Sequence, residues 1–352
     1  MKKAIIAMSG GVDSSVAAFF MKEKGFHCIG VTMKLYDNED IGISREKTCC
    51  SLDDIEDARN VAYKLGMQYY VFNFKDEFEK KVIRNFIETY ELGGTPNPCI
   101  ECNRHLKFEK LMHKMKELGF DYVVTGHYAD IEEKDGHFYL KKGRDLSKDQ
   151  SYVLYSLTQE QLAHTLFPLG KFSKEEIRAV AEANGFINAH KRDSQDICFV
   201  PDGDYAEFIE RHTGNVYEKG DFVDVNGKKL AKHNGLIRYT IGQRKGLGLS
   251  VGHPVYVVSK NIDRNEVVIG SNEDLMKSKL KATDFNWIIP MPEKPIKCSA
   301  KTRYNMKEQP CIAYVENDKV VVEFDNPVRA ITAGQAVVLY KDEYVLGGGT
   351  IE

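Results

Sequence analysis

The sequence predicts an α/β protein: a mostly parallel, two-sided sheet within residues 1–210, then two small β-rich domains at 211–280 and 281–352. Three observations predict it. Short apolar runs alternate with amphipathic helical stretches before residue 200, a glycine pair interrupts the first strand–helix junction, and beyond residue 215 the chain becomes β-branched strands divided by turns.

The first strand is "AIIAMS", followed by a helix with Val16, Phe19 and Phe20 on one face and Gly25 at its end. "HCIGVTM" precedes "SLDDIEDARNVAYKLG", where Ile55, Ala58, Ala62 and Leu65 recur at helical spacing. "YYVFNF" leads into one helix through Phe78, Val82, Phe86 and Tyr90, and a further helix through Phe108, Leu111, Met112, Met115 and Leu118 leads into the strand "DYVVTGHYA". Such alternation buries a parallel sheet on both faces and places ligands at the carboxyl ends of its strands. The β half shows "DFVDVNGKKLA", "HPVYVVSKNIDRNEVVIG", "CIAYVENDKVVVEFDNPVRA" and "GQAVVLYKDEYVLGGG", with Asn-Gly, Asn-Asp and Asn-Pro as turn signals.

Length and composition narrow the class. At 352 residues there is room for two or three domains, and 42% hydrophobic with 29% charged residues is ordinary for a globular protein. "MKKAIIAMSGG" is read as a buried strand and not a signal peptide, since its apolar stretch is short and runs into a glycine turn. No run approaches the ~20 apolar residues that span a bilayer, so no membrane partner is expected. Eight cysteines without a secretory signal point to reduced thiols in the cytoplasm.

"SGGVDSS", between a strand and a helix, gives the backbone close approach at Gly10 and Gly11 and sets Ser9, Ser14 and Ser15 at a helix N-terminus. A Walker-type loop would need a lysine after its last glycine, and dinucleotide spacing would need G-x-G-x-x-G; neither is present. Asp13 repels a phosphate unless a cation lies between them, which Mg²⁺ bridging Asp13 to pyrophosphate would resolve. The plain alternative is a tight turn with serine caps.

Cys99 and Cys102 form a C-x-x-C in "GGTPNPCIECNRHLKF", and Cys198 follows the charged stretch "KRDSQD". A structural zinc site would need two more ligands; adjacent Cys49 and Cys50 are the available pair and poor tetrahedral partners. A cysteine in an electropositive setting favours its thiolate, whereas a buried Cys198 in a core strand would be inert.

The loop resembles the PP-loop of N-type ATP pyrophosphatases. "SGGVDSS", "TPNPCIECNRHLKF", "TGHYA", "KDQSYVLYSL", "DSQDICFV" and "IGQRKGLG" occur in the order seen in the tRNA 2-thiouridylase family, bacterial tRNA-uridine 2-sulfurtransferases, over essentially the whole chain. The resemblance implies a Rossmann-like ATP pyrophosphatase domain and a final β-barrel. It implies ATP and Mg²⁺ as cofactors, and as partners the anticodon arm of tRNA with a cysteine desulfurase or sulfur relay as donor. By position it implies an ATP site at Ala7, Met8, Ser9, Gly10, Gly11, Val12, Asp13, Ser14, Met33 and Gly126, and a target-base loop at Asn97, Pro98 and Cys99. It implies a nucleophile at Cys102 and a persulfide carrier at Cys198. tRNA contacts are implied at His127, Lys148, Asp149, Gln150, Arg303, Tyr304 and Gln335.

Many family members have Asp where this chain has Cys99, so that acid/base role is not transferred. Cys99, Cys102 and Cys198 could instead ligate three irons of a [4Fe–4S] cluster, an alternative delivery route for sulfide. Two acid-free stretches, Val225–Ile262 and Lys294–Lys307, carry lysines and arginines that would neutralise RNA phosphates, or serve as solvated faces. Rival readings are a small-molecule ATP pyrophosphatase, which needs neither the three cysteines nor a basic tail, a non-catalytic RNA-binding protein, which needs no PP-loop, and thiolation of another tRNA position. His27, His113 and His164 are read as structural.

Overall fold

Strand β1 (Lys3–Ala7) is buried on both faces, with Ala4, Ile5 and Ile6 fully inaccessible, because its run of apolar residues has no polar side to offer water. The computed structural model describes residues 1–37, 52–191 and 197–352. Cys49 and Cys50, and the charged stretch at 192–196, lie outside these residues. The chain forms two compact units: Met1–Val82, Cys99–Pro201 and Asp342–Val345 in the first, Ile83–Pro98, Asp202–Lys341 and Leu346–Glu352 in the second.

In the first unit β1 is followed by α1 (Val12–Glu23), β2 (His27–Lys34), α2 (Leu52–Lys64), β3 (Gln68–Asn73) and the short α3 (Lys75–Phe78). The helix expected through Tyr90 is broken by a π segment, Glu79–Ile83, and resumes as α4 (Arg84–Glu91), which packs in the second unit. Then come α5 (Pro98–Glu101), a π segment Cys102–Lys110, α6 (Leu111–Glu117) and β4 (Tyr122–Val124). β4 is shorter than the expected "DYVVTGHYA" strand: the chain leaves the parallel sheet at Thr125, and Ala129–Lys134 forms β5, paired outside that sheet in an antiparallel hairpin with β6 (His137–Lys142) that the sequence pattern did not reveal. The unit closes with α7 (Gln159–Ala163), β7 (Thr165–Leu166) and α8 (Lys174–Ala183).

The sheet order is β3-β2-β1-β4-β7, parallel at each pairing. α1 lays Val12, Val16, Ala17, Ala18 and Met21 against it, joined by Ala58, Val61 and Ala62 of α2 and Ile177 and Ala181 of α8. Each large aliphatic side chain so buried contributes roughly 1.5–3 kcal/mol, which makes this shared core the platform for the loops above it.

In the second unit α9 (Tyr205–Thr213) packs with α4: the Phe86 ring lies 6.0 Å from Tyr205 and 6.1 Å from Phe208. Strands β8 (Gly220–Asp224), β9 (Lys229–His233), β10 (Tyr256–Asn261) and β11 (Glu266–Gly270) form a sheet of order β10-β11-β8-β9 over a core of Phe222, Tyr239, Val257, Val267 and Ile269. β12 (Met276–Trp287), β13 (Ile296–Lys301), β14 (Gln309–Glu316), β15 (Lys319–Arg329), β16 (Ala336–Lys341) and β17 (Tyr344–Ile351) follow in the order β12-β15-β14-β13-β16-β17. β17 returns to pair with β12, closing a six-stranded antiparallel barrel and removing the open edges. No helix among the described residues is long and apolar enough to cross a membrane.

Candidate functional site

The register of the parallel sheet gathers the expected nucleotide residues at one edge. Ala7 pairs with Val31 and Ile6 with Val124, so Met33, two residues past Val31, and Gly126, two past Val124, flank the loop that leaves β1. β2 lies on one side of β1 and β4 on the other, so the loop emerges where the strand order reverses. Glycine is required at two places. Gly10 has φ +79°, and a Cβ there would lie 2.4 Å from the Asp54 carbonyl oxygen; a Cβ at Gly126 would lie 2.8 Å from the Ser14 nitrogen.

The loop is held from within and from behind. Ser9 N donates to Ser14 Oγ (3.2 Å), and Ser14 and Ser15 hydroxyls donate to the Gly11 carbonyl (3.0 and 3.2 Å). Asn188 Nδ2 donates to the Gly10 carbonyl and to Ser15 Oγ, each at 2.9 Å. Lys191 ties Asp54 and Asp57 at the start of α2 to the same loop. The N-cap of α1 is Gly11, which has no side chain to satisfy the first-turn amides. Uncapped N–H groups at the end of a 12-residue helix, beside a cradle that admits no Cβ, suit the phosphates of ATP.

Asp13 is engaged by a residue that sequence reading missed. Lys174 Nζ donates to both Asp13 carboxylate oxygens at 2.8 Å, and the Tyr128 hydroxyl donates to Oδ1 at 2.7 Å. Lys174 is only 6% exposed. It is the first residue of α8, placed there by a capping box in which Ser173 Oγ accepts from Glu176 N and Glu176 accepts from Ser173 N. The S-x-x-E signature was legible; the direction of the lysine beside it was not. A Mg²⁺ ion at Asp13 would take the place of the ammonium, one carboxylate plus phosphate oxygens being an ordinary magnesium donor set.

The thiols lie elsewhere in the first unit. Cys102 opens the π segment after α5, a helix begun by Pro98, whose missing N–H costs nothing at that position. Cys198 lies in a turn whose carbonyl accepts from the Tyr36 hydroxyl (2.8 Å). Both segments are anchored on α3: Phe78 packs against Phe199 (5.6 Å) and Tyr36 (5.8 Å), and Glu77 pairs with Lys110 (2.8 Å) at the far end of the π segment. Cys198 is exposed and Cys102 half-buried, so the core-strand alternative for Cys198 does not hold. Cys99 has solvent-accessible surface, yet crowding by protein pushes its thiol pKa up, with Lys107 opposing. Among the described residues no three His, Cys, Asp or Glu side chains are gathered as a metal-binding set, so Cys99, Cys102 and Cys198 do not form the donor triad a [4Fe–4S] cluster requires.

The comparisons cover the same span. The family model described as "tRNA methyl transferase HUP domain" matches residues 2–202, "tRNA methyl transferase PRC-barrel domain" residues 206–271, and "Aminomethyltransferase beta-barrel domain" residues 277–351. The tRNA-specific 2-thiouridylase MnmA of Clostridium perfringens is 50% identical over 353 residues, covering 100% of this chain and 98% of that protein. Those of Clostridioides difficile (50% over 355 residues, 100% and 98% covered) and Symbiobacterium thermophilum (50% over 359 residues, 100% and 92% covered) are similar to it to the same degree. The chain belongs to the tRNA-specific 2-thiouridylase family.

The positions implied for RNA contact in the 2-thiouridylase family differ in what the fold leaves available. His127 is 8% exposed, with Nδ1 at 2.7 Å from Thr125 Oγ1 and its ring against Phe108 and Phe167; burial holds its pKa well below the usual imidazole value. Asp149 is buried and accepts from Gly143 N, Ser151 N and Ser151 Oγ, and Gln150 accepts from Tyr128 N, so these two shape their loop while Lys148 is half-exposed. In the second unit Tyr304 is exposed, whereas Arg303 donates to the carbonyls of Ile241 and Ala330 and to Thr332 Oγ1. Gln335 Nε2 donates to the carbonyls of Thr95 (2.9 Å) and Pro96 (3.1 Å), bracing the backbone just ahead of Asn97 and Pro98.

The basic stretch at Val225–Ile262 is less open than its composition suggests. Lys229 and Lys232 both pair with Asp221 (2.8 Å each), and Arg238 pairs with Glu210 (2.7 Å). Lys260 turns inward: its Nζ is buried without a hydrogen-bond partner among the described residues, and burial lowers its pKa to about 8. Lys228, Arg244 and Lys245 remain on the surface.

Proposed function

We propose that this protein is an ATP-dependent tRNA-uridine 2-sulfurtransferase that thiolates the wobble uridine of the anticodon. The observation that carries the reading is the full-length identity of about half to proteins named tRNA-specific 2-thiouridylase. The division of labour follows the sequence: residues 1–210 catalyse, and 211–280 and 281–352 contact tRNA.

In this reading the loop from Ala7 to Ser14, with Met33 and Gly126, binds ATP, its amides facing the phosphates. The uridine O2 attacks the α-phosphorus and pyrophosphate leaves, which turns a poor leaving group into an adenylate. Magnesium, held by Asp13 and phosphate oxygens, would supply charge neutralisation for the departing pyrophosphate. Lys174 exchanges from Asp13 to the phosphate side as that charge arrives.

The target base is splayed out toward the loop of Asn97, Pro98 and Cys99, at limited unstacking cost in an anticodon loop. The terminal sulfur of a Cys198 persulfide attacks C2, and AMP leaves with the original oxygen. Cys102 thiolate then attacks the Cys198 sulfur, leaving the terminal sulfur on uridine and a Cys102–Cys198 disulfide that an external thiol reduces before the next cycle. The sulfur comes from a cysteine desulfurase or sulfur-relay protein in the cytoplasm. Methyl transfer, the term in two of the family-model descriptions, would leave the nucleotide loop and both thiols without a role.

The test is nucleoside mass spectrometry of unmodified tRNA after incubation with the protein, Mg-ATP, cysteine and a desulfurase. The expected result is 2-thiouridine at the wobble position only when ATP is present, abolished by Cys102→Ser and by Cys198→Ser but only reduced by Cys99→Ser. ATP cleavage to AMP and pyrophosphate with no thiolated base would overturn the choice of acceptor, and thiolation at another position would reassign the site.

A further inference from the structure

The barrel holds a second pair of thiols that the reaction does not use. Cys298 on β13 stands directly opposite Cys311 on β14, in a register that runs from Ile296↔Ala313 to Ala300↔Gln309 without a bulge. Their sulfurs are 3.6 Å apart. Directly opposed residues of an antiparallel ladder have Cα atoms about 4.5 or 5.5 Å apart, depending on the hydrogen-bonding of the pair. Both spacings fall within the roughly 4.4–6.8 Å that a disulfide spans, so closure needs side-chain rotation and no movement of the strands.

The two sulfurs are not equivalent. Cys298 is half-buried and reachable from solvent, whereas Cys311 is 3% exposed within the barrel core beside Ala313 and Val322. The hydrogen bond from Cys311 and the charge of Lys341 favour the thiolate at Cys298, while the same contact and burial hold Cys311 protonated. The outer thiol therefore has the character of an attacking nucleophile and the inner one that of a resolving group. Between them in sequence lies the β13–β14 connection, which carries Arg303 and Tyr304.

We infer that Cys298 and Cys311 are a reversible oxidation site, closing to a cross-strand disulfide by exchange with low-molecular-weight disulfides. The Cys298 thiolate attacks one sulfur of the small disulfide, whose S–S bond breaks and releases one thiolate. Cys311 gives up its proton to solvent and attacks the Cys298 sulfur, expelling the second thiolate. The two protons lost by the protein are taken up by the two released thiolates; the protein pair is oxidised by two electrons and the small disulfide is reduced to two thiols. This chemistry rests on the barrel alone and does not depend on the proposed tRNA reaction.

The experiment uses the full chain, folded and reduced, then incubated with oxidised glutathione, alkylated, and digested without reduction for peptide mass spectrometry. The expected product is a peptide joining Cys298 to Cys311, at least ~10-fold more abundant than glutathionylated Cys298, as a high effective concentration of the neighbouring thiol dictates. Dithiothreitol should restore both thiols, and Cys311→Ser should accumulate the mixed disulfide at Cys298. Stable glutathionylation of Cys298 in the unaltered protein would overturn the inference. So would alkylation of both thiols under conditions that oxidise exposed Cys99. A Cys102–Cys198 peptide maps separately, so its presence or absence does not bear on the result.

Discussion

Lys174 clasps Asp13 with both carboxylate oxygens at 2.8 Å, and Tyr128 completes the contact at 2.7 Å. The glycine loop after β1, which lacks a lysine in its own sequence, thus receives one from a helix about 160 residues later in the chain. The ammonium balances the carboxylate; with ATP bound, phosphate oxygens would take the ammonium and a Mg²⁺ ion would take the carboxylate. Replacing Lys174 with Ala is expected to slow pyrophosphate release by about 10²-fold, the scale of losing one preorganised electrostatic contact. The double variant with Asp13→Asn should lose far less than the product of the two single effects, because the residues act as a unit. Quenched-flow measurement of pyrophosphate checks both, and strictly multiplicative losses would separate the two roles.

Gly126→Ala places a methyl group 2.8 Å from the Ser14 amide and the Asp13 carbonyl carbon, against backbone that cannot rotate away. Overpacking of this kind costs ~1–3 kcal/mol, so ATP affinity should fall roughly 10- to 100-fold while the circular dichroism spectrum is retained. Isothermal titration with ATP decides it. Unchanged affinity would count against the loop as the nucleotide site.

Gln335→Ala removes two donors from the carbonyls of Thr95 and Pro96. Each lost bond leaves an acceptor less well satisfied, at about 1–3 kcal/mol. The expected outcome is a rise in KM for tRNA with ATP affinity unchanged, since the braced backbone leads into Asn97 and not into the nucleotide loop. Steady-state thiolation at varied tRNA, beside ATP titration, separates the two.

Lys260 gives a pH signature with a definite sign. Its folded pKa is about 8 against 10.5 for an ordinary lysine, so the folded state disfavours its charge. That penalty is full below about pH 8 and fades as pH rises towards 10.5. Lys260→Met is therefore expected to stabilise the protein by ~3 kcal/mol near neutrality, with the gain shrinking toward zero in alkali. Urea unfolding at about pH 7 and about pH 10 measures the difference; an equal gain at both would assign it to packing.

The strand–glycine–helix loop after β1 was legible because it is local: a strand, two glycines and a helix start lie within a dozen residues. The residues that complete it were not, because Lys174, Asn188 and Lys191 reach the loop through tertiary packing and their side-chain directions leave no periodic trace in sequence. Element type was read correctly for β1 to β4; β7, two residues long, was missed, and the π segments at Glu79–Ile83 and Cys102–Lys110 kept a helical spacing of apolar residues and were indistinguishable from α-helix. The β5–β6 hairpin was missed because "ADIEEK" and "HFYLKK" alternate weakly and are rich in charge. Charge counting overstated the open basic surface, because Asp221 and Glu210, which neutralise Lys229, Lys232 and Arg238, lie outside the acid-free stretch.

The placement of α4 bears on how such a protein can be inherited. Residues 83–98 interrupt the first unit in sequence and build the second in space, where Phe86 and Tyr90 depend on Tyr205 and Phe208 for cover. A gene truncated after Pro201 would encode the glycine loop after β1 with Cys102 and Cys198, but also a helix with its aromatic face stripped to solvent and prone to self-association. The first unit cannot be lifted out by a single cut in the sequence. A recombination event that keeps both cores intact has to carry residues 83–98 together with the second unit.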